Sequence, residues 1–285
     1  MAGNGIVDGQ DGSLDFSPEA LEEKYRIERE KRVRTDGLQQ YVDLAKITGD
    51  HAVDPYLEEE LVREPFDEDA NVLIIGGGFS GMMTAVALGQ AGIEDVRIIE
   101  KGSDFGGAWY WNRYPGVACD VESYVYLPLL EQTGYIPTQK YVGGAEIFAY
   151  YQQVARQFGL YDSAIFQTGV EAITWIEDKD RWLVETDRGD RLYGRFVVLA
   201  GGLLHKPKIP NLPGIESFKG NAFHTARWDY EYTGGDSYGN LSKLSDKRVG
   251  IVGTGATAVQ VVPQVGASAK HLYVFQRTLL IVAEK

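Results

Sequence analysis

The stretch Val72-Leu-Ile-Ile-Gly76-Gly-Gly78-Phe-Ser-Gly81 decides the fold, and its form returns at Val249-Gly-Ile-Val-Gly253-Thr-Gly255-Ala-Thr-Ala258. Each joins a short apolar run to a glycine turn and then to a helix-like segment. Gly76 and Gly253 permit the tight turn, and Gly78 and Gly255 let the backbone approach a pyrophosphate. Gly81, or Ala258 in the copy, lets helix and strand pack closely. Phosphate is favoured at such a helix start, where N–H groups and the dipole face the anion. One glycine motif is a weak signal, whereas two in one chain, each between strand and helix, are a strong one.

The residues beyond each motif separate the two sites. After Gly81 the pattern predicts a helix over Met82–Ala91 and a strand over Asp95–Glu100. After Ala258 it predicts a helix over Val259–Val265 and a strand over His271–Arg277. Glu100 and Arg277 each lie nineteen positions past the end of their motif. A carboxylate at that point accepts the hydroxyls of an unphosphorylated ribose, whereas a guanidinium suits a 2′-phosphate. The first site therefore reads as FAD or NAD, and the second as NADPH. The expected fold is α/β: two Rossmann-like βαβ dinucleotide-binding domains with an inserted β-meander, the second domain incomplete.

A chain of 285 residues accommodates two domains and a real core. A net charge of −13 argues against nucleic acid and anionic membranes as partners. Cys119 is the only cysteine, which excludes an intrachain disulfide, a redox pair or a cysteine zinc site. No metal site and no partner protein are signalled. No basic-then-apolar leader precedes the fold, so a cytoplasmic location is expected. Asn71–Ile93 is uncharged and long enough to span a bilayer, but its six glycines mark a buried βα unit.

Taken in order, residues 1–68 read as a helical extension and linker, with Met1–Ser13 disordered. Ser17-Pro18 supplies an N-cap and a proline at the first helical position of a charged helix over Glu19–Arg34. Leu38, Tyr41, Val42 and Ala45 trace a short second helix, and Asp50–Asp69 an acidic linker. This stretch is expected to pack on the surface of the first domain. Residues 69–205 read as that domain. Its loop Gly106-Gly107-Ala-Trp109-Tyr-Trp-Asn-Arg-Tyr114-Pro-Gly116-Val-Ala-Cys-Asp120 has the glycines and aromatics to line a flat ring system. Val121–Tyr126 alternates toward a strand. Ala145–Phe158 is an amphipathic helix burying Ile147, Phe148, Tyr151, Val154 and Phe158. Phe166–Ile176, Arg181–Asp187 and Arg191–Ala200 form the meander, ending in a buried strand over Phe196–Ala200. A proline-stiffened connector over residues 206–244 leads to the second domain at 245–285.

Within that connector, Phe218-x-Gly220-x-x-x-His224-x-x-x-Trp228-Asp229 resembles the fingerprint of the type I Baeyer–Villiger monooxygenases, FxGxxxHxxxW(P/D), at every position. The Gly106–Asp120 loop is similar to the same family's second signature, (A/G)GxWxxxx(F/Y)P(G/M)xxxD. The resemblance covers about Asn71–Thr278, and the long N-terminal stretch resembles that of members acting on bulky or polycyclic ketones. It implies that NADPH reduces FAD, that O2 reacts at the reduced flavin, and that one oxygen atom enters beside a ketone carbonyl to give an ester or lactone. It places Gly76, Gly78, Gly81, Glu100, Gly107, Trp109, Asp120 and Tyr126 around FAD. Gly253, Thr254, Gly255, Ala256, Thr257, Ala258, Arg277 and Thr278 fall around NADPH. Asp120 is the catalytic candidate, orienting an arginine that no residue of this chain matches. His224 and Trp228 fall as hinge or relay residues.

The family continues well past the position of Lys285, so this chain is expected to hold only the start of the second domain and to be inactive by itself. Two alternatives stand beside this reading: a flavin-dependent N- or S-oxygenase, and a non-enzymatic fragment.

Overall fold

The computed structural model describes residues 17–33, 35–43 and 54–277. The expected disorder of Met1–Ser13 and the placements of Ala45 and Thr278 lie outside them. The described residues up to Tyr41 and those from Val42 onward form two compact units. In the first, helix α1 (Pro18–Glu30) starts at Ser17, whose Oγ accepts from Ala20 N–H at 3.2 Å. It buries no residue, and Arg26 lies between Glu23 and Glu30 in an exposed ladder of ion pairs. Such exposed pairs contribute little to stability, because water screens them. The second helix expected around Leu38 is instead a single 3-10 turn, Gly37–Gln40, followed by strand β1 (Tyr41–Asp43). Tyr-Val favours extended backbone over continuation of the turn.

In residues 42–285 the first glycine motif sits where it was expected. Strand β2 (Asp67–Ile75) carries the fully buried Leu73 and Ile74 on opposite faces, so the sheet is covered on both sides there. Helix α2 (Phe79–Gln90) buries Met82, Ala85 and Val86, which share one face at i, i+3 and i+4 spacing. Strands β3 (Val96–Ile99) and β4 (Ala164–Ile165) extend the sheet in parallel. The expected meander is present as β5 (Val170–Ile176), β6 (Arg181–Thr186) and β7 (Arg191–Leu199).

The meander is continuous with the parallel strands. β7 pairs antiparallel with β6 and parallel with β2, so one six-stranded sheet runs in the order β4-β3-β2-β7-β6-β5. The end of β7 is not fully buried: Phe196 and Leu199 are exposed, while Val197 and Val198 are half-covered.

Two further local expectations change. The alternation at Val121–Tyr126 predicts a strand, but Ser123–Tyr126 is a helical turn. Ser123 Oγ donates to the carbonyls of Gln139 and Lys140, and Ser123 N–H also donates to Lys140 O at 2.8 Å. Those bonds satisfy the polar groups that a ladder would otherwise have used. Helix α3 (Gly144–Gln157) buries Ile147, Tyr151 and Val154 as expected, with Tyr150 and Ala155, whereas Phe148 and Phe158 are only half-covered. Strand β8 (Lys208–Pro210) lies in the connector.

The second motif follows as strand β9 (Arg248–Val252), helix α4 (Ala256–Ser268) and strand β10 (His271–Phe275), with β9 and β10 parallel. Tyr114, Val117, Leu241, Leu244, Val261 and Val265 form one buried cluster that joins the aromatic loop to α4.

Candidate functional site

The two glycine turns have the same backbone. Gly76 and Gly253 adopt φ of +113° and +105°, a region that favours glycine. Gly76 N–H donates to Ile99 O at 2.8 Å, and Gly253 N–H donates to Phe275 O at 2.9 Å. Gly78 and Gly255 cap the two helices at φ/ψ of −80°/−177° and −70°/−175°. Two segments with different side chains have thus converged on one turn, which places a helix N-terminus at the carboxyl edge of a parallel strand pair. That is where open α/β sheets bind ligands.

Around the first turn the loop and helix close in. A Cβ on Gly107 (φ +51°) would lie 2.8 Å from Gly78 Cα, so two glycines allow loop and turn to touch. Glu100, just past β3, is buried beneath the turn. Its Oε2 accepts from Gly77 N–H at 2.5 Å and its Oε1 from Gly102 N–H at 2.7 Å. Burial pushes its carboxyl above the usual range, opposed by those two N–H donors. Phe79 stacks on Tyr151 at 3.8 Å between ring centres, and Phe79 N–H donates to Tyr151 Oη at 3.2 Å.

Trp109 Nε1 donates to Tyr126 Oη at 2.7 Å, and the two rings meet edge to face. Asp120 is exposed at the end of the same loop. A mainly apolar cavity of about 160 Å³ adjoins Trp109, walled by Val117, Gly144, Ala145 and Phe148, with Arg113 among its polar lining. The structure therefore brings Gly76, Gly78, Gly81, Glu100, Gly107, Trp109 and Tyr126 together.

The second turn is open: a Cβ at Gly253 or Gly255 would meet nothing within 4 Å. The spacing that paired Glu100 with Arg277 is offset by one in the structure. The bonds from Gly76 to Ile99 and from Gly253 to Phe275 give Gln276, not Arg277, the place at the second turn that Glu100 has at the first. Gln276 Nε2 donates to Thr254 Oγ1 at 3.3 Å, reaching the middle residue of its turn as Glu100 reaches Gly77. Counting back from the strand ends, rather than forward from the helix, would have found it. Arg277 is exposed one residue further on.

The connector fingerprint acts locally as a set of caps. His224 Nδ1 accepts from Ala226 N–H at 3.1 Å, and Asp229 Oδ1 accepts from Tyr232 N–H at 2.8 Å. Burial lowers the His224 pKa, which keeps Nδ1 free to accept. Trp228 Nε1 donates to Thr233 Oγ1 at 3.0 Å. The exposed Phe218 ring folds over Gly220, where a Cβ would lie 2.5 Å from it. The acidic stretch before β2 is a strap more than a linker. Asp54 Oδ2 accepts from Tyr110 Oη and, at 3.3 Å, from Ser103 N–H, and Arg113 lies 3.8 Å over the Tyr56 ring. These long-range contacts carry no periodic signal in sequence. Among the described residues no acid, histidine or cysteine cluster is arranged to hold a metal, and no helix is long and apolar enough to cross a membrane.

This doubled dinucleotide architecture is that of the pyridine nucleotide-disulphide oxidoreductases, a family that matches residues 73–283 and to which the chain belongs. Within it, the likeness to Baeyer–Villiger monooxygenases expected from the two signatures is shown directly. The chain is 52% identical over 272 residues to Baeyer-Villiger monooxygenase ATR8 of Stachybotrys chlorohalonatus, covering 94% of this chain and 44% of that protein. It superposes with TM-score 0.83 and 42% identity on the polycyclic ketone monooxygenase of Thermothelomyces thermophila, over 91% of this chain and 44% of that one. OTEMO in complex with FAD and NADP matches with TM-score 0.66 and 36% identity, over 73% of this chain and 39% of that one. The chain thus spans less than half the length of the relatives it matches.

Proposed function

We propose that this chain carries the FAD site and the opening of the NADPH site of a flavin-dependent Baeyer–Villiger-type monooxygenase. Such an enzyme inserts one atom of O2 beside a ketone carbonyl to give an ester or lactone. The observation that carries the reading is the repeated turn, one copy closed by a glycine contact to an aromatic loop and the other open. The cradle at Gly78 and Gly107 would be filled by any Cβ on Gly107, as expected where a backbone must approach a pyrophosphate. OTEMO, a structural neighbour, is described as a complex with FAD and NADP.

FAD, when bound, supplies the redox and oxygen chemistry, and the protein supplies binding, orientation and charge. In this reading Gly76, Gly78 and Gly81 shape the pyrophosphate turn, and Glu100 accepts a ribose hydroxyl while fixing Gly77. Gly107, Trp109 and Tyr126 face the flavin side, and Asp120 orients a cation supplied from elsewhere. Gly253, Thr254, Gly255, Ala256, Thr257, Ala258, Arg277 and Thr278 surround NADPH, with Arg277 on its 2′-phosphate. The organisation follows as an FAD domain at 69–205, a connector at 206–244 and the start of the NADPH domain from 245. The substrates are a small-molecule ketone and O2, and the setting is the cytoplasm.

Equilibrium titration of the chain with FAD tests this. Wild type should bind, and Glu100→Ala should bind at least tenfold more weakly, because a hydrogen bond to a charged group contributes ~1.5–3 kcal/mol. Equal affinity in both proteins would remove Glu100 from the ribose site, and no binding by wild type would refute the FAD assignment.

A further inference from the structure

Among the contacts between the aromatic loop and α4, one is made by a side chain that the proposed chemistry does not use. Gln260 lies one turn into α4, four residues past Ala256. Its Nε2 donates to Ala118 O at 2.8 Å, and its Oε1 accepts from Tyr114 Oη at 3.0 Å and Ala118 N–H at 3.4 Å. A primary amide has the donor and acceptor needed to pair with both sides of one residue's main chain, as a strand partner would. The opposite edge of the loop is bound as well. Ala118 bridges Gly143, Cys119 N–H donates to Val142 O at 3.2 Å, and Gly144 N–H donates to Val117 O at 2.8 Å. Asp120 is two residues beyond Ala118. The fit also explains Gly116 (φ +82°): a Cβ there would lie 2.7 Å from Gln260 O.

We propose that Gln260 is a positioning residue that clamps the Asp120 loop of the first site to the helix behind the second glycine turn. The placement of Asp120 then depends on α4. The clamp itself rests on the contacts above; its meaning for catalysis rests on the reading of the two turns given under Proposed function. An apolar side chain of the same length would fill the space but leave the Ala118 N–H and C=O without this partner. Polar pairing, not volume, is therefore the property to test.

Cys119 is the only thiol, is buried, and adjoins Ala118, so its labelling by 4,4′-dithiodipyridine reports opening of the loop. Gln260→Met fills the same volume without polar atoms, and Gln260→Glu keeps the acceptor but loses the donor to Ala118 O. Both should label Cys119 at least tenfold faster than wild type, without a matching fall in the urea midpoint of the whole chain. Labelling within twofold of wild type in Gln260→Met, or acceleration only in step with global unfolding, would overturn the clamp.

A second arm adds NADP+. It should slow labelling in wild type and lose that effect in Gln260→Met, and persistence of the effect there would also overturn the clamp. If wild type binds no NADP+ at all, the second-site reading fails, while the ligand-free rates still decide the role of Gln260.

Discussion

Gly81→Ala should disrupt the first dinucleotide turn, whereas Ala258→Gly, the reverse exchange at the matching place in the copy, should cost about 1 kcal/mol. A Cβ on Gly81 would lie 1.9 Å from Gly76 O and 3.3 Å from Ile74 Cγ2. Neither can yield cheaply. Gly76 is itself pressed against the end of β7, with its own Cβ position 2.6 Å from Ala200 O. Helix α2 would have to lift off β2, separating Met82, Ala85 and Val86 from the cluster they share with Val72 and Ile74. Overpacking costs typically ~1–3 kcal/mol when side chains can adjust, and a clash with backbone belongs at or above the top of that range. At the copy an alanine is already accommodated and buried, so removing its methyl mainly lowers helix propensity. Urea unfolding followed by tryptophan fluorescence distinguishes the two. A Gly81→Ala protein as stable as wild type would mean that the turn is looser than the structure shows.

The same contrast marks which features are legible in the amino-acid sequence. Gly76 and Gly253 announce the turns because their positive φ favours glycine, and Gly81 because a Cβ there would strike Gly76 O, so at these positions residue type and spacing carry the geometry. The strands around them are legible from apolar runs, and Glu100 from its distance past the turn. Gln276 was hidden because the span from the turn glycine to its strand-end partner is one residue shorter in the second unit (Gly253 to Phe275) than in the first (Gly76 to Ile99), so a count carried through the helix misses by one. The turn at Ser123–Tyr126 was hidden because a serine hydroxyl bonded to Gln139 O and Lys140 O overrides an alternating pattern. Gln260, Asp54 and Arg63 pair with residues far away in the chain. Polar side chains with such distant partners leave no periodicity to find.

Asp190→Asn should be the most destabilising exchange outside the glycine turns, by ~3–5 kcal/mol, the usual cost of leaving one partner of a buried ion pair uncompensated. The Asp190 side chain is 0% exposed and that of Arg63 is 13% exposed. Their contact is bidentate: Arg63 Nη1 donates to Oδ1 at 2.5 Å and Nη2 to Oδ2 at 2.7 Å. Asp190 also accepts from Phe66 N–H at 2.8 Å and Thr186 Oγ1 at 2.7 Å. The pair therefore ties the segment before β2 to the turn between β6 and β7.

Burial alone would raise the Asp190 carboxyl, but the bonds from Arg63, Thr186 and the Phe66 N–H outweigh it and hold the pKa at about 2, below the ordinary 3.8. A carboxyl depressed on folding contributes stability that is fully present above its unfolded pKa and lost as pH falls through the folded one. At ~1.36 kcal/mol per pKa unit, that contribution is on the order of 2 kcal/mol. The stability gap between wild type and Asp190→Asn should thus be constant above about pH 5 and narrow by that amount between about pH 4 and pH 2. Comparing the two proteins at each pH cancels the other carboxylates that titrate in the same interval. A gap equally wide at about pH 3 and pH 7, in urea titrations of both proteins, would show that Arg63 and Asp190 do not act as a charged pair.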